Sequence, residues 1–275
     1  MGEDQIRMTV GEHIHELRHC LLRALLGVLV GMVGCFFLRK GLFQVISWPL
    51  AVATGGNPPH MYYLSPSEAF TTLVKVCLVT GAILSSPYGL HQMWRFIAAG
   101  LYEKERKAVR RYLLPSIVLF AVGVAFFFVV VAPLVLRFFI VFAQQNFPQP
   151  PTWMVDWLGD RVVSTAPAGG GAAGDGYLQP ALRLSEYVSF VAVLSLVFGL
   201  GFQTPLVVLF LARSGIVPIA VMRRFRRYVL LIILILSAII TPPDWVSMVA
   251  LAGPMYLLYE VGLAVARLRH RRREL

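Results

Sequence analysis

Two histidines and a glutamate near the N-terminus have the spacing of a zinc site. His15-Glu16-Leu17-Arg18-His19 matches the pattern H-E-x-x-H, in which two imidazoles one helical turn apart bind zinc and the glutamate acts as a general base. A catalytic zinc needs a third protein ligand, and His60, His91 and His270 lie in unrelated parts of the sequence. An amphipathic helix at a membrane surface explains the same residues without a metal. We therefore expect no catalytic residue, metal or cofactor, and keep a membrane zinc metalloprotease as the alternative.

A second group of chemically active residues follows an apolar run. It begins at Phe96, continues through Leu101 and Tyr102, and reaches the carboxylates of Glu103 and Glu105. The apolar and acidic side chains together could receive a basic, partly apolar ligand. A solvated loop with mixed charges and aromatic interface anchors is the simpler interpretation of these residues taken alone.

A third group consists of polar residues inside or beside apolar segments. Gln203 interrupts an apolar run just before Pro205, and Thr241-Pro242-Pro243-Asp244 separates two further runs. Buried polar groups are costly in lipid unless they have partners, so such residues are candidates for function. No nucleotide-binding loop of the type G-x-x-x-x-G-K-[ST] occurs, and the membrane potential is the obvious energy source for any transport.

The composition places all three groups in a membrane protein. Of the 275 residues, 57% are hydrophobic and 14% charged, and the mean hydropathy is +0.71, whereas soluble domains are about 25% charged. This excludes a water-soluble globule. We predict one all-α, polytopic membrane domain over residues 1–275 with six transmembrane helices, at about residues 20–38, 69–97, 112–143, 187–212, 228–240 and 245–266. A glycine-rich stretch at 148–180 is predicted to be a flexible outer loop, and residues 267–275 a basic tail.

The basic residues indicate orientation rather than a nucleic-acid partner. Of the 25 lysines and arginines, 19 lie at the termini and in the segments between helices two and three and between helices four and five. By the positive-inside rule both termini are then cytoplasmic. The fifth run, 228–240, has 13 residues, about 20 Å of helix against a hydrocarbon core of about 30 Å. It should thin the bilayer locally or be shielded by partner helices.

Several ordered motifs resemble those of the TatC family, the multi-spanning receptor of the twin-arginine protein translocase. The resemblance covers nearly the whole chain, and its motifs are His15-Glu16-Leu17-Arg18, Ser65-Pro66-Ser67-Glu68-Ala69-Phe70, the segment from Phe96 to Arg106, the segment from Phe198 to Pro205, Thr241-Pro242-Pro243-Asp244, and Pro254-Met255-Tyr256 with Glu260.

The resemblance implies a cupped arrangement of six helices, the fifth and sixth short, in the bacterial cytoplasmic (inner) membrane. It implies a core receptor, not an enzyme, that binds the Arg-Arg signal peptides of folded precursors at the cytoplasmic face. Glu16 and Glu105 would recognise the arginine pair, and the neighbouring signal-peptide-binding residues would be Arg18, Phe96, Leu101, Tyr102 and Glu103.

The same resemblance implies partners and an energy source. Single-span proteins of the TatA and TatB type would dock on helices four to six, near Gln203, Pro205, Thr241 and Asp244, and the complex would self-associate and draw on the proton-motive force. The sequence departs from the family at Ala99, where proline is common, and at Gln203, where glutamate is frequent. Gln203 keeps the hydrogen bonds of a glutamate but cannot carry its charge.

Overall fold

The architecture was derived from a computed structural model of the full chain. It describes residues 10–56, 61–99, 103–146, 182–214, 217–241 and 245–274, and of residues 10, 103–110, 143–146 and 269–274 it describes the backbone. The predicted outer loop at 148–180 lies outside the described residues.

Helices dominate the described residues, which confirms the predicted all-α class. Ten α-helices and two strands of two residues each follow one another in the order α1 (Val10–Phe37), α2 (Arg39–Ala53), β1 (Met61–Tyr62), α3 (Pro66–Ala99), α4 (Glu103–Phe126), α5 (Ala132–Asn146), β2 (Leu182–Arg183), α6 (Leu184–Gly201), α7 (Thr204–Arg213), α8 (Ile219–Arg224), α9 (Arg226–Ile240) and α10 (Trp245–Glu274).

Five helical stretches of the described part are long and apolar enough to cross a membrane. They are Gly11–Phe37, Pro66–Ala99, Arg111–Phe142, Leu184–Arg213 and Trp245–Leu268. The remaining predicted crossing, the fifth, corresponds to α9, which has 15 residues, or about 22 Å of helix, and falls short of the bilayer core. The prediction of a short helix before the last one therefore agrees with the structure.

The last helix is longer than predicted. α10 has 30 residues and continues through the basic tail, where a short sixth helix was expected. Arginine, leucine and glutamate are good helix formers, so the helix extends beyond its apolar part instead of ending there.

Two long helices are interrupted inside the apolar region. A π-helical turn at Phe127–Val131 joins α4 to α5, just before Pro133, which has no backbone N–H for a regular helical bond. α6 ends at Gly201, and the backbone N–H of Gln203 bonds to the carbonyl of Leu200 before α7 begins. Pro205 lies in the first turn of α7, where its missing N–H costs little.

The helices pack around a largely apolar core, to which residues from Ile46 to Leu251 contribute. Phe127, Phe198, Leu50 and Val188 are fully buried within it. α1 and α3 run against each other through glycines: a Cβ on Gly31 would lie 2.6 Å from the carbonyl oxygen of Gly81. Glycine is therefore required at this crossing, because it lets the two backbones touch.

The chain forms a small parallel sheet where the two strands meet. Met61 pairs with Leu182 and Tyr62 with Arg183. We call the end of the bundle that carries this sheet and Glu68 the Glu68 face, and the opposite end, with Glu16 on α1 and Arg95 on α3, the Glu16 face. On the Glu68 face α2 ends at Ala53 with Thr54 as its C-cap, and the chain turns through the positive φ angles of Gly55 and Gly56 (69° and 98°), which suit glycine.

Candidate functional site

The first candidate carboxylate, that of Glu16, lies partly exposed on the Glu16 face, where a ligand can reach it. Glu16 lies on α1, and its Oε1 is 3.3 Å from Nη2 of Arg95 near the end of α3; the Glu16 side chain is 25% exposed. The thiol of Cys20, one turn further along α1, lies 3.8 Å from the same oxygen. Glu16 is thus held in place by a guanidinium while part of the carboxylate remains accessible.

An aromatic contact adjoins this carboxylate. The ring of His13 stacks on that of Phe96 with centroids 4.4 Å apart, and His13 lies one turn before Glu16 on α1. Phe96 directly follows Arg95 on α3, so the structure brings together two of the predicted residues, Glu16 and Phe96. Arg18 is exposed on the same helix.

The remaining residues of this group are only partly described. Glu103 and Glu105 occupy the first turn of α4, which begins four residues after α3 ends, so their backbone lies at the Glu16 face. Of their side chains nothing is described, and Leu101 and Tyr102 lie outside the described residues.

The histidines of the zinc pattern form a pair without a third ligand. The rings of His15 and His19 meet edge to face with centroids 4.6 Å apart, and both side chains are exposed. Within the described ranges no group of three histidine, cysteine, aspartate or glutamate residues could hold a metal ion. The glutamate of the pattern contacts Arg95 instead.

Gln203 is buried and fully engaged by a neighbouring helix. Its Oε1 accepts a hydrogen bond from the Ser116 hydroxyl at 2.8 Å, and its Nε2 donates to the backbone carbonyl of Ser116, also at 2.8 Å. The amide thereby links the break between α6 and α7 to α4. An ionised glutamate could accept the first bond but could not donate the second.

The other predicted polar residues lie close to helix ends. Thr241 is buried, and its hydroxyl donates to the carbonyl of Ser237 at 2.8 Å. Pro205 packs against α10, where a Cβ on Gly262 would lie 2.7 Å from the Pro205 Cα atom. Asp244 lies outside the described residues.

A polar cluster on the Glu68 face was not predicted as a site. The buried Glu68 accepts hydrogen bonds from Ser185 at 2.6 Å, from Arg183 at 2.9 Å and from the backbone N–H of Leu64 at 2.9 Å. The bond to Glu68 raises the pKa of Arg183. In the sequence, Glu68 was noted only as part of a family motif. Its position in the first turn of an apolar helix was the one feature that could have marked it as a candidate site residue.

A second ion pair was also missed. Nη2 of Arg226, at the start of α9, lies 3.2 Å from Oε2 of Glu260 on α10, and the Tyr256 hydroxyl donates to Oε1 of Glu260 at 3.1 Å. In the sequence, Glu260 stood out only as part of a motif of the family. Its contact with Arg226 ties the short α9 to α10 at the Glu16 face.

Comparison with known proteins decides the family. The family model described as "Sec-independent protein translocase protein (TatC)" matches residues 12–254. The chain belongs to the TatC family. A TatC of Desulforapulum autotrophicum is 32% identical over 97% of this chain and 87% of its own length, and one of Aquifex aeolicus is 31% identical over 97% and 98%.

Solved structures agree with the sequence comparison. A structure described as "Crystal Structure of Twin Arginine Translocase Receptor- TatC" matches with a TM-score of 0.73 and 30% identity, covering 93% of this chain and 98% of the solved one. The predicted family is confirmed. This TatC chain is a multi-pass membrane component of a protein translocase, a transport protein and not an enzyme, which rules against the zinc-protease alternative.

Proposed function

We propose that this TatC chain is the receptor that binds Arg-Arg signal peptides of folded precursors, with Glu16 and Glu105 receiving the two arginines. One observation carries the proposal: the partly exposed carboxylate of Glu16 already holds a guanidinium, that of Arg95, at 3.3 Å. An arginine of a ligand could replace Arg95 with the same geometry.

Arginine suits such a site better than lysine does. The planar guanidinium can donate two parallel hydrogen bonds to one carboxylate, whereas the lysine ammonium acts as a point charge. Each charge-assisted hydrogen bond contributes about 1.5–3 kcal/mol. Two carboxylates would therefore discriminate a paired-arginine ligand from a paired-lysine one.

The neighbouring residues supply the rest of the recognition surface. Phe96 lies next to Arg95 on α3, and the first turn of α4 with Glu103 and Glu105 begins nearby along the chain. We assign Phe96, Leu101 and Tyr102 to apolar contacts with the signal peptide, and Arg18 and Glu103 to the polar rim. The apolar part of the signal would then extend along the membrane spans.

The orientation in this proposal follows from charge. A single arginine, Arg213, lies at the end of α7, and clusters of arginine lie at the ends of α8 and α10 and at the start of α9, all on the Glu16 face. The positive-inside rule makes this face cytoplasmic, with both termini inside and the chain in the bacterial inner membrane. Signal peptides would then meet Glu16 from the cytoplasm before export.

The short helix α9 is the proposed docking place for single-span partners of the TatA and TatB type. Its exposed apolar side chains are Leu230, Leu231, Ile232, Ile235, Leu236 and Ile239. A helix of 15 residues leaves about 8 Å of the hydrocarbon core uncovered. A partner helix beside α9 would cover this mismatch, and we assign Gln203, Pro205, Thr241 and Asp244 to the vicinity of the contact. The complex would self-associate, and the proton-motive force would drive transport.

Photocrosslinking of a labelled precursor to the full chain in membranes tests the signal-peptide site. Glu105→Ala should abolish crosslinking and Glu16→Ala should reduce it, and a precursor with paired lysines should crosslink weakly to the unchanged chain. Glu186→Gln is the control, because Glu186 is 74% exposed on the opposite face. Unchanged crosslinking in both Glu16→Ala and Glu105→Ala, with normal membrane insertion, would reject the site.

A further inference from the structure

A cavity of about 590 Å³ lies on the Glu68 face, away from the proposed signal-peptide site. It is bounded by the end of α2, by α5 and by the start of α10, and its lining includes Val52, Ala53, Leu134, Arg137, Phe138 and Val246. Among the described residues that line the cavity, Arg137 alone has a polar side chain. A volume of this size falls within the range of small-molecule sites, about 300–1,000 Å³.

Arg137 forms no ion pair with any acidic residue in the described part of the chain. Four ion pairs occur among the described residues, and none includes Arg137, whose side chain is exposed. An arginine within an apolar helix that remains unpaired normally needs an anion or access to the headgroup layer. Arg137 therefore offers an anionic ligand a cation that no described carboxylate occupies.

The cavity opens at the level of the lipid headgroups. Arg137 follows Arg111 by 26 residues on one helical path, about 39 Å, and a bilayer with its headgroups is about 40–45 Å thick. Trp245, 72% exposed, contacts the ring of Phe138 beside the cavity with centroids 6.3 Å apart. Exposed tryptophan is typical of the membrane–water boundary.

From this combination we propose that the cavity binds one phospholipid of single negative charge, phosphatidylglycerol. Its phosphate accepts hydrogen bonds from the Arg137 guanidinium, which suits phosphate oxygens in a bidentate geometry. One acyl chain lies in the apolar cavity against Val52 and Leu134. A zwitterionic headgroup fits less well, because its ammonium would need an acceptor and no carboxylate is among the lining residues that the structure describes.

The size of the cavity favours a lipid chain over a partner helix. An α-helix about 10 Å across fills about 400 Å³ per turn, so the cavity would hold less than two turns of it. An acyl chain is narrow and flexible enough to enter such a space. The experiment must still distinguish a bound lipid from a bound transmembrane helix.

Native mass spectrometry of the full chain, extracted from vesicles of equal parts phosphatidylglycerol and phosphatidylcholine, tests the proposal. The unchanged chain should retain one phosphatidylglycerol in preference to phosphatidylcholine. Arg137→Gln should lower this retention at least tenfold, and Arg137→Lys should retain an intermediate amount. Ala53→Phe, which fills the cavity but keeps the cation, should also lose the lipid.

Arg39→Gln is the matched control, because Arg39 is an exposed cation on α2 of the same face that does not line the cavity; its retention should equal that of the unchanged chain. Equal retention of the two lipids, or unchanged retention in Arg137→Gln, would overturn the proposal. A lower unfolding temperature of Arg137→Gln than of the unchanged chain in pure phosphatidylcholine would also overturn it, because Arg137 would then make an internal contact. So would the loss from Arg137→Gln of a co-purified single-span protein instead of a lipid, because the cavity would then bind a transmembrane helix.

Discussion

Glu16 and Arg95 form an ion pair between α1 and α3, with Oε1 and Nη2 3.3 Å apart and both side chains partly exposed. An arriving arginine must compete with Arg95 for the carboxylate. The proposed receptor site is therefore occupied by the chain's own guanidinium when no ligand is bound.

Replacing Arg95 should strengthen peptide binding. Exposed ion pairs contribute about 0.2–1 kcal/mol, so Arg95→Gln should lower the Kd for an Arg-Arg signal peptide by up to about fivefold. Fluorescence anisotropy of a labelled peptide with the full chain in nanodiscs measures this. Arg111→Gln is the control for the general loss of positive charge, since Arg111 is exposed and forms no ion pair among the described residues. A weaker affinity in Arg95→Gln than in this control would contradict the prediction.

Gln203 and Ser116 should contribute unequally to stability. Ser116→Ala removes one hydrogen bond and should cost about 1 kcal/mol, whereas Gln203→Leu removes both and leaves the buried Ser116 hydroxyl without its acceptor, at about 1–3 kcal/mol. The double variant should be less destabilised than the sum of the two. Unfolding by SDS titration in mixed micelles gives these free energies, and additive effects would argue against a direct contact.

The crossing of α1 and α3 should not accept a side chain at its glycines. A Cβ at Gly81 would lie 2.5 Å from the backbone nitrogen of Met32, so Gly81→Ala must separate the helices and should cost about 1–3 kcal/mol. Gly89→Ala is the matched control on the same helix, because a Cβ there meets nothing within 4 Å. The same SDS titration compares them, and equal stabilities would disprove the close approach.

Glu68 should hold the small sheet in place. Glu68→Gln leaves the partly exposed Arg183 without its buried carboxylate, and we expect a loss of about 1–3 kcal/mol. Hydrogen exchange of the amides of Leu64 and of both strands should become faster. Glu186→Gln, which changes an exposed partner of Arg183, should leave this exchange nearly unchanged. Equal protection in the two variants would contradict the assigned role.

Much of the fold could be predicted because lipid imposes simple rules on sequence. Apolar runs of sufficient length appear as helices, and the short length of α9 was visible in the spacing of polar residues around it. The extension of α10 was missed because hydropathy marks where a helix leaves the lipid, not where it ends. Pro133 and Pro205 mark the positions of the interruptions, but hydropathy alone could not locate the π-helical turn.

The candidate site was less predictable, because its contacts join distant parts of the chain. Gln203 was found as a polar residue among apolar ones, but its partner Ser116, 87 positions away, carried no comparable signal. Arg95 was counted only as a basic residue that indicates orientation. Its pairing with Glu16 depends on the antiparallel packing of α1 and α3, which the sequence pattern does not specify.

The pairing of β1 with β2 fixes the start of α6 independently of the length of the segment between Asn146 and Leu182. Leu182 is held to Met61 and Arg183 to Tyr62, so α6 starts from a fixed point whatever the number of residues between Asn146 and Leu182. Since closing a flexible loop costs only about 0.6 kcal/mol more for each doubling of its length, relatives of this chain can lengthen or shorten that segment without moving the helix that carries Gln203 into position.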